Sequence, residues 1–119
     1  MRTENSNANN ETQVSHLVRK YFSDYVSRDR KAVEELLSDD FIFHSPHDPN
    51  IGKATYFEKC WANGDNYRAL NIEKLFENGN EAFVRYECET KAGTKSRTTE
   101  FFRIEGDKIR EIEVYYGSL

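Results

Sequence analysis

Apolar side chains recur at Val14, Leu17, Val18, Tyr21, Phe22, Tyr25 and Val26, in alternating steps of three and one. That spacing places them on one stripe of an α-helix. Asn10 and Gln13 offer a capping-box variant at its start. A second, shorter stripe follows at Ala32, Val33, Leu36 and Leu37, with Asp29 as its N-cap and "SDD" as its end. The two predicted helices form a hairpin. A third helix is predicted from Lys53 to Ala62, stopped by Asn63-Gly64, with Phe57, Cys60 and Trp61 facing inward.

After Gly64 the period changes to two. "YRALNIEKLFE" and "EAFVRYECET" flank Asn78-Gly79-Asn80, "KAGT" joins the next pair, and "EGD" joins the last, so four consecutive antiparallel strands are expected. Alternation puts Ala82, Val84, Tyr86 and Cys88 on one face, with Phe83, Arg85, Glu87 and Glu89 on the other. The last strand splits into Ile112, Val114 and Tyr116 against Glu111, Glu113 and Tyr115. On the strand before it Thr98, Glu100, Phe102 and Ile104 share the apolar side. Glu100 is the exception there, a carboxyl among hydrophobic neighbours.

Composition narrows the class. The chain has 119 residues, of which 13% are aromatic and 32% charged. That length suits one core and not two. With a mean hydropathy of −0.87 the chain has no apolar run long enough for a membrane helix. Residues 1–12 are expected to form a disordered polar tail ahead of one domain at 13–119. The N-terminal stretch lacks an apolar secretory segment, so the expected location is cytoplasmic. A net charge of −4 with no concentrated basic patch argues against nucleic acid as a partner. Cys60 and Cys88 lack metal-ligand spacing and are expected as buried thiols. Neither a glycine-rich phosphate loop nor a dinucleotide fingerprint is present, so no cofactor is expected.

The order helix, helix, short strand "DDFIFHSP", helix and four-strand meander resembles the cone-shaped superfamily of nuclear transport factor 2, ketosteroid isomerase, scytalone dehydratase and the SnoaL-type polyketide cyclases. The "LVRKYF" helix, the "LLSDDFIFHSP" passage and the "EFFRIEGDKI" hairpin carry the likeness, over about residues 14 to 117. It implies an α+β fold, a cone-shaped curved antiparallel sheet wrapped around N-terminal helices, with an internal pocket. Such motifs specify a fold better than an activity. In ketosteroid isomerase a tyrosine and a neutral aspartic acid form the oxyanion hole, and a second aspartate is the base. Ungapped alignment of "VRKYF" through "FHSP" puts that tyrosine on Tyr21 and the base on Ser45; "EFFRIEG" puts the acid on Glu100. A serine hydroxyl is too weak a base for a carbon-bound proton.

The catalytic candidates are therefore Tyr21 and Glu100 as polarising groups, with His47 or Asp48 as a replacement base between Pro46 and Pro49. For Glu100 the alternative is a carboxylate paired with an arginine or accepting from Tyr21, and for His47 a solvated loop position. Ser45, Phe43, Phe57, Trp61, Tyr86, Phe102 and Tyr116 are the candidate ligand-binding residues, or else rings that fill the interior completely. His44, His47 and Asp48 do not converge on a metal, because alternation turns His44 away from Phe43 and Ser45. Phe83, Phe101 and Tyr115 among charges on the outer face suggest a homodimer surface. Two functions stay open: a binder of a small hydrophobic molecule that is a cofactor-independent isomerase, lyase or cyclase of a carbonyl compound, or a non-catalytic module of the same fold.

Overall fold

The structure, a computed structural model, describes residues 12–116, with only the backbone of Tyr116 included. Residues 1–11, and with them Asn10, lie outside the described residues, as do 117–119. Helix α1 (Gln13–Val26) is capped by Thr12, whose hydroxyl accepts from the Ser15 N–H at 3.0 Å. Such a cap satisfies one of the N–H groups that the first helical turn leaves without an intrahelical partner. Val14, Leu17, Val18, Tyr21 and Phe22 are buried, so the predicted stripe is the packed face. Asp29 caps α2 (Arg30–Leu36) through the Ala32 N–H at 3.1 Å.

Leu37 is extended rather than helical, and it opens strand β1 (Leu37–His44). The polar Ser38-Asp39-Asp40 run thus lies inside the strand, at a register shift against its neighbour, and does not end the helix. A two-residue strand β2 (Ile51–Gly52), which the periodicity gave no sign of, leads into α3 (Lys53–Lys59). The predicted third helix is cut short. A 3₁₀ segment (Trp61–Asn66) takes over from Trp61 and carries the chain into the meander. Strands β3 (Tyr67–Asn78), β4 (Glu81–Thr90), β5 (Lys95–Glu105) and β6 (Lys108–Tyr116) are antiparallel neighbours, as expected.

The sheet has six strands in the order β2-β1-β6-β5-β4-β3. It is mixed rather than wholly antiparallel, because β1 runs parallel to β6. A hairpin cannot join two parallel strands, and here the chain between them includes α3 and the first three strands of the meander. Register shifts in β3 and between Arg103 and Ile104 bend the sheet. Gly79 and Gly106 adopt φ of 64° and 63° at two of the hairpin turns, where a side chain would be strained.

The inner face of the sheet packs on α1 and α2 through Val18, Val33, Phe41, Phe102, Ile109 and Ile112, all fully buried. Phe83 and Tyr115 are exposed on the outer face, and Phe83 stacks with Phe101 at 5.2 Å. Cys60 and Cys88 are buried free thiols. Among the described residues no helix is long and apolar enough to cross a membrane.

Candidate functional site

The curved sheet does not close completely on α1. A cavity of about 140 Å³ remains between α1, α3, the loop after β1 and the inner face of β4, β5 and β6. Of the residues singled out from the sequence, Tyr21, Phe43, Ser45, His47, Asp48, Tyr86 and Glu100 line it. Phe57, Trp61 and Phe102 lie behind the lining. Phe102 packs edge-on against Tyr21 and Phe22, and Phe57 sits between Tyr56 and Trp61. These rings support the wall and are not its surface. The side chain of Tyr116 lies outside the described residues.

Glu100 is at the centre of this arrangement. Strand alternation on β5 turns it inward between Thr98 and Phe102, and only 7% of it is exposed. Its Oε2 accepts a short hydrogen bond from the Tyr86 hydroxyl, whereas Oε1 has no hydrogen-bond partner among the described residues. No arginine among them neutralises it. Burial raises its pKa to about 7, and the Tyr86 hydrogen bond only partly opposes that rise. The carboxyl therefore changes charge near neutral pH, and its unpaired oxygen belongs to a residue that lines the cavity.

Tyr21 leaves α1 on the buried stripe, and its hydroxyl lies 2.6 Å from that of Tyr56 on α3. Burial, and for both the nearby Glu100 charge, push the two phenols well above their ordinary pKa, so they remain neutral donors. Each hydroxyl has one proton. One proton is shared within the pair, which leaves the other to be given to a third acceptor. Tyr56 did not figure among the sequence candidates, although the helical period held the signal: it lies four residues before Cys60, on the same face of α3.

Ser45 has a different task from the one alignment gave its position. Its Oγ accepts from the backbone N–H of His47 and of Asp48, at 3.3 and 3.0 Å, and its own N–H donates to the Asp48 carbonyl at 3.2 Å. The serine folds the rim loop on itself. Pro46 and Pro49 fix two further φ angles in that loop. His47 and Asp48 consequently sit at the cavity rim, His47 exposed and Asp48 half-buried. His44 points to the opposite side of the sheet, with Nε2 2.9 Å from Glu111 Oε2.

A curved-sheet cone around a small polar-centred cavity defines the class. Residues 18–112 match the family model for the SnoaL-like domain, and the chain belongs to that family. No curated protein matches the sequence significantly. Solved structures do match its fold. An NTF2-like protein of unknown function from Cytophaga hutchinsonii is 19% identical with a TM-score of 0.71, over 98% of this chain and 95% of that one. A protein from Kribbella flavida provisionally named a ketosteroid isomerase is 20% identical with a TM-score of 0.75, over 90% and 79%. A de novo designed protein with a curved β-sheet is 16% identical with a TM-score of 0.77, over 88% and 85%. The likeness to a designed scaffold underlines that the cone itself prescribes no chemistry.

Proposed function

We propose that the protein binds a small, largely apolar carbonyl compound and catalyses a cofactor-independent proton transfer on it, as an isomerase, lyase or cyclase of the SnoaL-like class. The observation that carries this reading is the buried, half-partnered carboxyl of Glu100 in a cavity that also holds the Tyr21–Tyr56 hydroxyl pair. Tyr56 donates to Tyr21, and Tyr21 donates to the substrate's carbonyl oxygen. A chain of hydroxyls polarises itself in this sense, and a low-dielectric site strengthens it.

Glu100 then takes the proton from the carbon beside the carbonyl. The C–H electron pair forms the enolate double bond, and the carbonyl π electrons move to the oxygen held by Tyr21. Return of the same proton to another carbon completes an isomerisation with no other reactant. A pKa of about 7 suits a group that must both take and give a proton at neutral pH. This assigns the base to Glu100 instead of His47 or Asp48, and it removes the difficulty left by Ser45. The name of the Kribbella relative accords with such chemistry.

The pH profile separates the two roles open to Glu100. As a base it must be ionised, so kcat/KM rises with pH through about 7. As a neutral hydrogen-bond donor to an oxyanion it must be protonated, and kcat/KM falls through the same midpoint. A profile flat across that midpoint would remove Glu100 from the chemistry. The use of Ser45 as a loop staple favours a second reading, a binding module without turnover. If a library of small cyclic enones and diketones binds the cavity and none turns over, that reading prevails.

The outer sheet face supports a further part of the proposal, assembly with a second copy. Phe83 and Tyr115 are exposed beside Phe101, and Arg103 sits between Glu81 and Glu111, a mix of aromatic and paired charge that suits a self-complementary patch. A solution mass of twice 14.0 kDa is expected, and a mass of 14.0 kDa would refute it.

A further inference from the structure

The lining rings are not held alike. Tyr21, Phe22, Phe43, Tyr56 and Tyr86 are buried in the core, whereas Tyr25 and Tyr67 are only partly buried. Tyr25, in the last turn of α1, packs on the core through Tyr21, with ring centres 5.8 Å apart, and is held further by groups outside it. Trp61 packs edge-on against its ring at 5.4 Å, and the Arg28 guanidinium lies 5.2 Å from the ring centre and 4.0 Å from that of Trp61.

Arg28 has a left-handed backbone, φ 61°, just after the helix end. Its Nη2 donates to the Trp61 carbonyl at 2.5 Å and Nη1 to the Tyr25 carbonyl at 3.2 Å, while Nε lies 2.9 Å from Asp65 Oδ1 in an ion pair without hydrogen-bond alignment. Gly64 closes the other side. A Cβ there would stand 1.8 Å from Arg28 Nη1 and 2.8 Å from Tyr25 Cζ, so the 3₁₀ segment touches the phenol end of Tyr25. Non-glycine residues adopt such a positive φ only where the surroundings enforce it.

From this geometry, and resting on the ligand-binding reading above, we infer that Tyr25 is the specificity-determining wall of the cavity, clamped by Arg28, Trp61 and Gly64, and that it restricts the ligand to a compact single-ring carbonyl or phenol. The volume agrees. A cavity of about 150 Å³ in another protein accommodates benzene, and the space here is about 140 Å³. Two fused rings leave no room to spare in it, so a bicyclic ligand has to push a wall aside, and the clamp opposes movement of Tyr25.

Calorimetric titration of the full chain with phenol and with 2-naphthol tests the inference, on the wild type and on Tyr25→Phe, Tyr25→Leu and Arg28→Gln. The wild type and Tyr25→Phe should bind phenol at least about 10-fold more tightly than 2-naphthol, the scale on which a pocket rejects an oversized apolar group. Tyr25→Leu should shift that ratio toward 2-naphthol by about 100-fold, and Arg28→Gln by about 10-fold, within the range of pocket discrimination. Equal binding of the two probes by the wild type, or a ratio unmoved by both Tyr25→Leu and Arg28→Gln, would overturn the inference and leave the ligand-binding reading intact. Should Tyr25→Leu fail to fold by circular dichroism, Arg28→Gln decides alone. Failure of the wild type to bind either probe would overturn the inference, while the ligand-binding reading stands or falls on the enone and diketone library.

Discussion

The two faces of this sheet treat the same side chain in opposite ways. On the outer face Glu73 is gripped by Arg97 at 2.8 and 3.1 Å and by Arg85 at 3.2 Å, and the Arg97 hydrogen bond, with Arg85, holds its carboxyl below the usual range. On the inner face Glu100 has one tyrosine and, among the described residues, no cation, and burial lifts its carboxyl to about 7. An exposed ion pair is cheap to make and contributes little. A buried carboxyl without a cation is costly to keep charged, and such shifted carboxyls cluster at functional sites. The contrast sets the concave face apart, and the proposed function rests on it.

The contrast can be broken most severely at Glu100 itself. Glu100→Gln keeps the shape and a hydrogen-bond acceptor for Tyr86 but cannot take a proton, so kcat should fall by about 10²- to 10⁴-fold, the usual contribution of a general base. Ligand affinity measured by calorimetry should change far less. Tyr21→Phe removes the donor that the hydroxyl pair offers, and a loss of about 10²-fold in kcat is expected, the scale of one oxyanion donor. Equal losses in binding and turnover for both variants would point to damaged packing instead.

The pH dependence of stability is the next largest effect. Between the ordinary carboxyl value of 4.5 and about 7 the folded chain keeps a proton on Glu100 that the unfolded chain has released. Stability from this group is therefore greatest at low pH and falls as pH rises through that window. A tenfold change in proton affinity corresponds to about 1.4 kcal/mol, so the whole fall is about 3 kcal/mol at most. Urea unfolding of the wild type and Glu100→Gln at several pH values should show the variant gaining on the wild type by that order from the acid to the alkaline side. A constant difference would mean that Glu100 titrates normally.

A smaller effect is expected at the clamp. Gly64→Ala forces Arg28 and the 3₁₀ segment apart, for an overpacking cost of about 1–3 kcal/mol in urea unfolding. The smallest effect belongs to the outer face. Glu73→Gln should leave the melting temperature at high salt unchanged, because its arginine partners are already solvated. A large loss there would erase the contrast between the two faces.

How much of this the sequence disclosed depends on the kind of signal. Period and turn chemistry placed α1, α2 and the meander, and strand alternation alone turned Glu100 inward between Thr98 and Phe102. Leu37 misled because a helical stripe and a buried strand start both demand an apolar residue there, and the tertiary pairing with β6 decided for the strand. The third helix is shorter than its pattern suggests because the Phe57, Cys60 and Trp61 spacing serves α and 3₁₀ turns alike; the α-helix ends at Lys59 and the chain continues as 3₁₀ turns through Asn63-Gly64. Tyr56 was legible but hidden beside Phe57 in the same stripe. The Arg28 clamp was not legible. It depends on a positive φ and on contacts between residues more than thirty positions apart, which no local pattern encodes.

The proposed chemistry depends on the charge state of Glu100 in the cone. The direct measurement is a ¹³C NMR titration of the chain labelled at glutamate Cδ, with the Glu100 resonance assigned by its loss in Glu100→Gln. A midpoint at about 7 is expected for that resonance. A midpoint near the ordinary 4.5 would contradict it, for a carboxyl that ionises so easily sits in water or against a cation and not in the closed interior described above.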